Sequence, residues 1–138
     1  MRKIAIWGVL SLMAVALAAV PAVAANPHFV TEPVCTDNGA GTITCTGGKV
    51  AGLGNEPVSV FYTGQFACET KSGSNQPPGQ SRSKEVTIQP RGGAINLPTS
   101  TLTSGCHGTQ TPVAPSEVTL HILNQAGQEI FTETIPVT

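Results

Sequence analysis

Val58-Ser59-Val60-Phe61-Tyr62-Thr63-Gly64-Gln65-Phe66-Ala67-Cys68 is the stretch that decides the fold. Val58, Val60, Tyr62, Phe66 and Cys68 share one parity, while Ser59, Thr63 and Gln65 take the other. Only an extended strand gathers residues of such spacing on one face. Phe61 is the exception, since it projects from the face opposite Val60 and Tyr62. It either covers a second apolar layer or marks an exposed contact patch.

The same alternation recurs along the chain. Val118, Leu120 and Ile122 alternate with Thr119 and His121, which places His121 on the solvent side of a strand. Val86 and Ile88, then Ile95 and Leu97, form two shorter runs. Pro90-Arg91-Gly92-Gly93 stands between them as a hairpin turn. A first strand is predicted near residues 28–34, a second over 42–53 and a last over 129–137, with Asn124-Gln125-Ala126-Gly127 closing the final hairpin. In the second strand Ile43 and Cys45 are odd while Val50 is even, so a β-bulge is expected at Gly47-Gly48. No stretch of a dozen residues carries apolar positions at helical spacing. The sum is an all-β chain of about seven strands, an immunoglobulin-like antiparallel β-sandwich, with a small barrel as the alternative.

The amino terminus reads differently. Arg2 and Lys3 precede an uncharged apolar run from Ile4 to Val20, and Ala22-Val23-Ala24-Ala25 follows Pro21. This three-part pattern is that of a secretory signal peptide over residues 1–25, cleaved after Ala24 or Ala25. Residues 26–138 then form one domain, secreted and extracellular, with no membrane span left after cleavage. It carries five Lys and Arg against eight Asp and Glu. A net negative domain without a basic stripe excludes nucleic acid as a partner.

Cys35, Cys45, Cys68 and Cys106 all lie beyond residue 25. An even count in an exported chain reads as two disulfides, and the spacing lacks the C-x-x-C of a zinc grip. Three pairings are possible. Cys35–Cys45 and Cys68–Cys106 are favoured, because the first pair flanks the turn-rich Thr36–Gly41. The second borders the irregular segments 69–83 and 98–116 and would tie both to one end of the sandwich.

No catalytic or metal constellation stands out, and no cofactor is expected. His28 follows Pro27, whose missing amide proton forbids a square-planar amino-terminal copper site. Asp37 reads as a turn-former. An enzyme would need His107 or His121 within hydrogen-bond reach of a carboxylate in a pocket, and no nucleophile motif is present. Glu129 and Glu133, four apart on a strand, are expected to share a face as solvated edge charges. The most distinctive surface element is the loop Gly73–Ser81, where Pro77-Pro78 imposes polyproline stiffness. Asn75, Gln76, Pro77, Pro78 and His107 are the candidate recognition residues.

The order NPHFV, C, TCTGGKVAGLGN, C, NQPPGQ and a late GC resembles a group of small secreted bacterial proteins. That resemblance spans most of residues 26–138. It implies export, β structure and a four-cysteine frame, and brings no activity with it. Lys49-Val50-Ala51-Gly52 and Gly64-Gln65 are locally similar to neocarzinostatin-type chromoproteins, although the cysteines are placed differently. The function expected is that of a secreted, non-enzymatic β-sandwich. It would act by binding, or by a cell-surface or structural role, through its disulfide-tethered loops, on a protein, cell-surface or small-molecule partner. A small-molecule carrier with a cleft between sheet and loops is the alternative.

Overall fold

The computed structural model describes residues 26–73, 75–76 and 80–138, with only the backbone of Asn75 and Gln76. The expected signal peptide, residues 1–25, lies outside the described residues, as do Pro77 and Pro78. Every regular element described is a β-strand. In chain order they are β1 (His28–Thr31), β2 (Val34–Asp37), β3 (Thr42–Thr46), β4 (Lys49–Ala51) and β5 (Val58–Gln65). Then follow β6 (Ala67–Glu69), β7 (Asn75–Gln76), β8 (Gln80–Arg82), β9 (Val86–Ile88) and β10 (Ile95–Asn96). The last are β11 (Ser100–Thr103), β12 (Thr111–Val113), β13 (Glu117–Leu123) and β14 (Glu129–Pro136).

These short pieces merge into longer strands, because consecutive pieces keep the same neighbours. β1 pairs with β4 and β2 with β3, while β10 pairs with β4 and β11 with β3. One antiparallel layer therefore runs β1/β2, β3/β4, β10/β11. The other runs β14-β13-β5, with β8 and β9 end to end along the free side of β5. A parallel bridge between Cys35 and Val137 closes the sandwich along one side. In long strands the order is first-second-fifth against seventh-sixth-third-fourth, the arrangement of an immunoglobulin-type sandwich.

Between the layers lies one core cluster. It includes Ile43, Val50, Val58, Val60, Tyr62, Phe66, Ile95, Leu102, Val118, Leu120, Ile122 and Ile135. Cys35 and Cys45 are direct cross-strand partners in this core and are bonded to each other. Cys68 is bonded to Cys106. Closing loops of 10 and 38 residues restricts the unfolded chain, worth roughly 3 and about 4 kcal/mol on the loop-entropy estimate. Among the described residues the Tyr62 hydroxyl has no hydrogen-bond partner, and burial pushes its pKa up to about 12.

The apolar parity changes at Gly47-Gly48, but not through an inserted residue. Cys45 faces Ser100 and Val50 faces Ile95 in one continuous register, joined by the Leu97 N–H donating to the Gly48 carbonyl at 2.9 Å. Both strands break their pleat at the same level, and the left-handed φ of Gly47 (71°) and Gly48 (98°) makes that possible. The extra residue sits in the first strand instead, where the register shifts between Phe29 and Thr31. Val30 is left 56% exposed there. Pro90–Gly93 also departs from expectation. Gly92 and Gly93 do turn the chain, with Arg91 and Ala94 exchanging backbone bonds of 2.9 and 3.1 Å. Yet β9 pairs with β5 and β10 with β4, so the turn carries the chain from one layer to the other.

A Cβ at Gly47 meets nothing within 4 Å, so Gly47→Ala should cost only the left-handed backbone penalty, about 1–2 kcal/mol. A Cβ at Gly48 would stand 2.7 Å from Leu97 Cδ1 and 3.0 Å from the Pro33 backbone nitrogen. Gly48→Ala should therefore lose at least about 1 kcal/mol more in urea unfolding. Equal losses for the two would contradict this packing.

Candidate functional site

Two regions bear polar groups held by the fold. The first is the outer face of the β14-β13-β5 layer. Register sets His121 beside Phe61 on one side and Thr132 on the other. Their rings stack with centroids 4.8 Å apart and planes inclined by 12°. Arg82 lies on the adjoining strand, its guanidinium carbon 3.8 Å from the Phe61 centroid. It is placed there by an irregularity in which residues 83–85 stand against Phe61 and Tyr62. Ser83 stitches that gap, its hydroxyl accepting from the Tyr62 N–H at 2.8 Å and its own N–H donating to the Tyr62 carbonyl at 2.9 Å. Arg82 also pairs with Glu85. Phe61 is thus neither bare nor under a second apolar layer; a cation and an imidazole cover it, leaving 7% exposed.

The line continues from His121. Its Nδ1 contacts Glu129, and its Nε2 lies 2.7 Å from the Thr63 hydroxyl. Thr132 donates to the same Glu129 oxygen at 2.9 Å. In the neutral imidazole Nδ1–H donates to the carboxylate and Nε2 accepts from Thr63. These bonds, the one from His121 foremost, hold the Glu129 carboxyl below its ordinary value of 4.5. A bulge makes the cluster possible. Ile122 faces Phe131 while Leu123 faces Glu129, so Ile130 is the extra residue. Glu129 therefore joins Thr132 on the outer face, while Glu133 stands opposite Leu120 on the other parity. The two carboxylates do not share a face, which corrects the expectation from their spacing.

Hydroxyl, imidazole and carboxylate are the order of a nucleophile, its base and the group that orients it. His121 meets the carboxylate half of the requirement set for an enzyme. Thr63, however, is only 6% exposed and lies in a strand paired on both sides, to Thr119 and to Arg82. Its neighbouring backbone N–H groups serve the ladder rather than a developing oxyanion. What the line can do chemically is hold a cation, an imidazole and a carboxylate at fixed positions on the outer face of a sheet.

The second region is the end capped by the Cys68–Cys106 bond. There β6 runs between β12 and β7, with Pro112 facing Cys68 on one side and Gln76 facing Cys68 on the other. Segments 69–83 and 98–116 are thereby brought together. Asn75 and Gln76 belong to β7. His107 sits in an exposed turn, its N–H donating to Gln110 Oε1 at 2.9 Å and its carbonyl accepting from the Gln110 N–H at 2.8 Å. Asp37 is the turn-former expected, accepting from the Gly39 N–H at 2.8 Å. Among the described residues no group of three or more His, Cys, Asp or Glu is placed to hold a metal ion, and His28, His107 and His121 are in separate places.

The second region was visible from the cysteine positions. The first is not legible in the sequence, although Phe61 and His121 each fall on an outward parity. The missing signal was the register that makes them neighbours.

No family model matches this chain, and no curated protein matches it. Among solved structures, a β-D-glucoside glucohydrolase from Trichoderma reesei is similar over 83% of this chain, at 14% identity and a TM-score of 0.29. The chain spans 18% of that protein's length, and at this score the likeness carries no argument.

Glu129 yields a pH test. Its folded pKa is depressed, so the stability it adds is present above 4.5 and is lost as the pH falls below that value. Urea midpoints measured from about pH 6 down to about pH 3 should fall less steeply for Glu129→Gln than for the unaltered protein. Identical slopes would contradict the His121–Glu129 linkage.

Proposed function

We propose that this chain is an exported, non-enzymatic binding domain that acts outside the cytoplasm, by recognition or as part of the cell surface. The observation that carries this reading is the convergence of segments 69–83 and 98–116 on β6, fixed by the Cys68–Cys106 bond. Surface loops displayed from a rigid sandwich are the usual seat of recognition in such folds. Two disulfides in a small all-β domain fit an oxidising environment. Among the described residues no helix is long and apolar enough to cross a membrane. The partner's chemistry would be read by polar residues of this end: exposed Lys71, in the turn closed by the Gly73 N–H on the Thr70 carbonyl, and exposed His107, with Asn75 and Gln76 of β7.

Lys71 and His107 are exposed, so charge reversal there leaves the core untouched. Labelled protein spanning residues 26–138, applied to cells of the producing species, should be retained. Lys71→Glu with His107→Glu should reduce retention by about tenfold. Gln125→Lys, in the β13–β14 turn, is the control and should leave it unchanged. Equal retention by all three proteins would overturn the assignment of recognition to this end.

A further inference from the structure

The layers part where the chain crosses between them. β10 is an edge strand of one layer, and β9 has β5 as its strand partner in the other. The Gly92-Gly93 turn bridges the two, and a cleft of about 270 Å³ opens beside it. Its lining is Lys49, Ile88, Gln89, Arg91, Ala94, Ile95 and Asn96. Ile88 and Ala94, both half-buried, supply the apolar part of the lining, while Ile95, at 3% exposure, belongs to the core. Lys49, Arg91 and two carboxamides supply the rest.

The charge of this lining is out of keeping with the domain. Residues 26–138 carry five cations against eight carboxylates. Arg82 is committed to Glu85, and two of the four remaining cations meet in this one cleft. Among the described residues no Asp or Glu lines it. Among the described residues neither Lys49 nor Arg91 has a carboxylate within ion-pair distance. Their positions are set by the backbone. Lys49 follows the Gly47-Gly48 break and is the register partner of Asn96, and Arg91 begins the tight turn that bonds to Ala94. An Arg fork and a Lys point charge lining one cleft, with apolar side chains between the polar ones, match an anionic group carried on a compact organic body.

We propose that this cleft binds a small organic anion of monosaccharide size, its carboxylate or phosphate held by Lys49 and Arg91 and its body laid on Ile88 and Ala94. The volume corresponds to about nine waters at ~30 Å³ each, which fits one sugar ring with its charged substituent. The site is separate from the disulfide-tied end. β9 pairs with the Val58 end of β5, whereas β6 continues from its Gln65 end. The eight residues of β5 span about 25 Å between them.

The test is a chemical-shift titration of isotopically labelled protein, residues 26–138, with glucuronate, glucose 6-phosphate, glucose and inorganic phosphate. Either sugar anion should shift the amides of Lys49 and of residues 88–96, and glucose should not. Lys49→Gln with Arg91→Gln should weaken that binding by about tenfold or more. Response to glucuronate alone would assign a carboxylate ligand, to glucose 6-phosphate alone a phosphate ligand, and to both the anion class. Shifts elsewhere, no shift with either sugar anion, an undiminished response in the double variant, or an equal response to inorganic phosphate would each overturn the proposal. Lys71→Glu with His107→Glu should bind the sugar anions normally, so failure here is distinguishable from failure of the recognition reading.

Discussion

The sandwich depends on a single backbone event, the coordinated loss of pleat at Gly47-Gly48 and at residues 97–99 across from it. Side chains on a strand alternate strictly, so a strand without a break would bury Ile43 and Cys45 and turn Val50 outward. Two consecutive left-handed residues reset the alternation, and only glycine takes that conformation without steric cost. Because the facing strand breaks at the same level, Val50 and Ile95 return inward together, as do Ile43 and Leu102 on the other side of the break. The third strand of the layer meets the same demand with its register shift at Val30 and the prolyl junction at Pro33. One core results where two smaller, mismatched ones would otherwise form.

The remaining irregularities do for the surface what the glycine pair does for the core. Residues 83–85 bring Arg82 over Phe61, and the extra residue Ile130 brings Glu129 to His121. Each places a charged group where uninterrupted pleating would have aimed another residue, which is the general effect of a bulge. The crossing at Gly92-Gly93 likewise brings Arg91 to a cleft that Lys49 also lines. Charged and polar side chains thus gather at these three interruptions of the ladder.

Much of the fold was legible because alternation is a local property. The parities of Val58–Tyr62 and Val118–Ile122, the final turn Asn124–Gly127 and the parity change at Gly47-Gly48 follow from short windows of sequence. Cross-strand neighbours are different, since register depends on residues far apart in the chain. That is why His121 reads only as a solvent-side imidazole and Phe61 as a ring under a second layer or in a contact patch, with nothing to join either to Arg82. It is also why Glu129 and Glu133 read as sharing a face when the single residue Ile130 separates them. The runs Val86–Ile88 and Ile95–Leu97 read as hairpin partners for the same reason. A two-glycine turn is compatible with pairing or with crossing, and the choice lies with β4 and β5. The cleft was illegible as well, because Lys49 and Arg91 meet only once the layers are assembled.

Solution NMR of the oxidised domain tests the central claim most directly, through cross-strand contacts on both sides of the glycine pair. The account predicts backbone proton contacts between Cys45 and Ser100 and between Val50 and Ile95 in the same spectrum. The methyl groups of Ile43, Val50, Ile95 and Leu102 should all reach the core around Tyr62. A one-residue offset in either half of the ladder, or Val50 methyls without contact to that core, would contradict it.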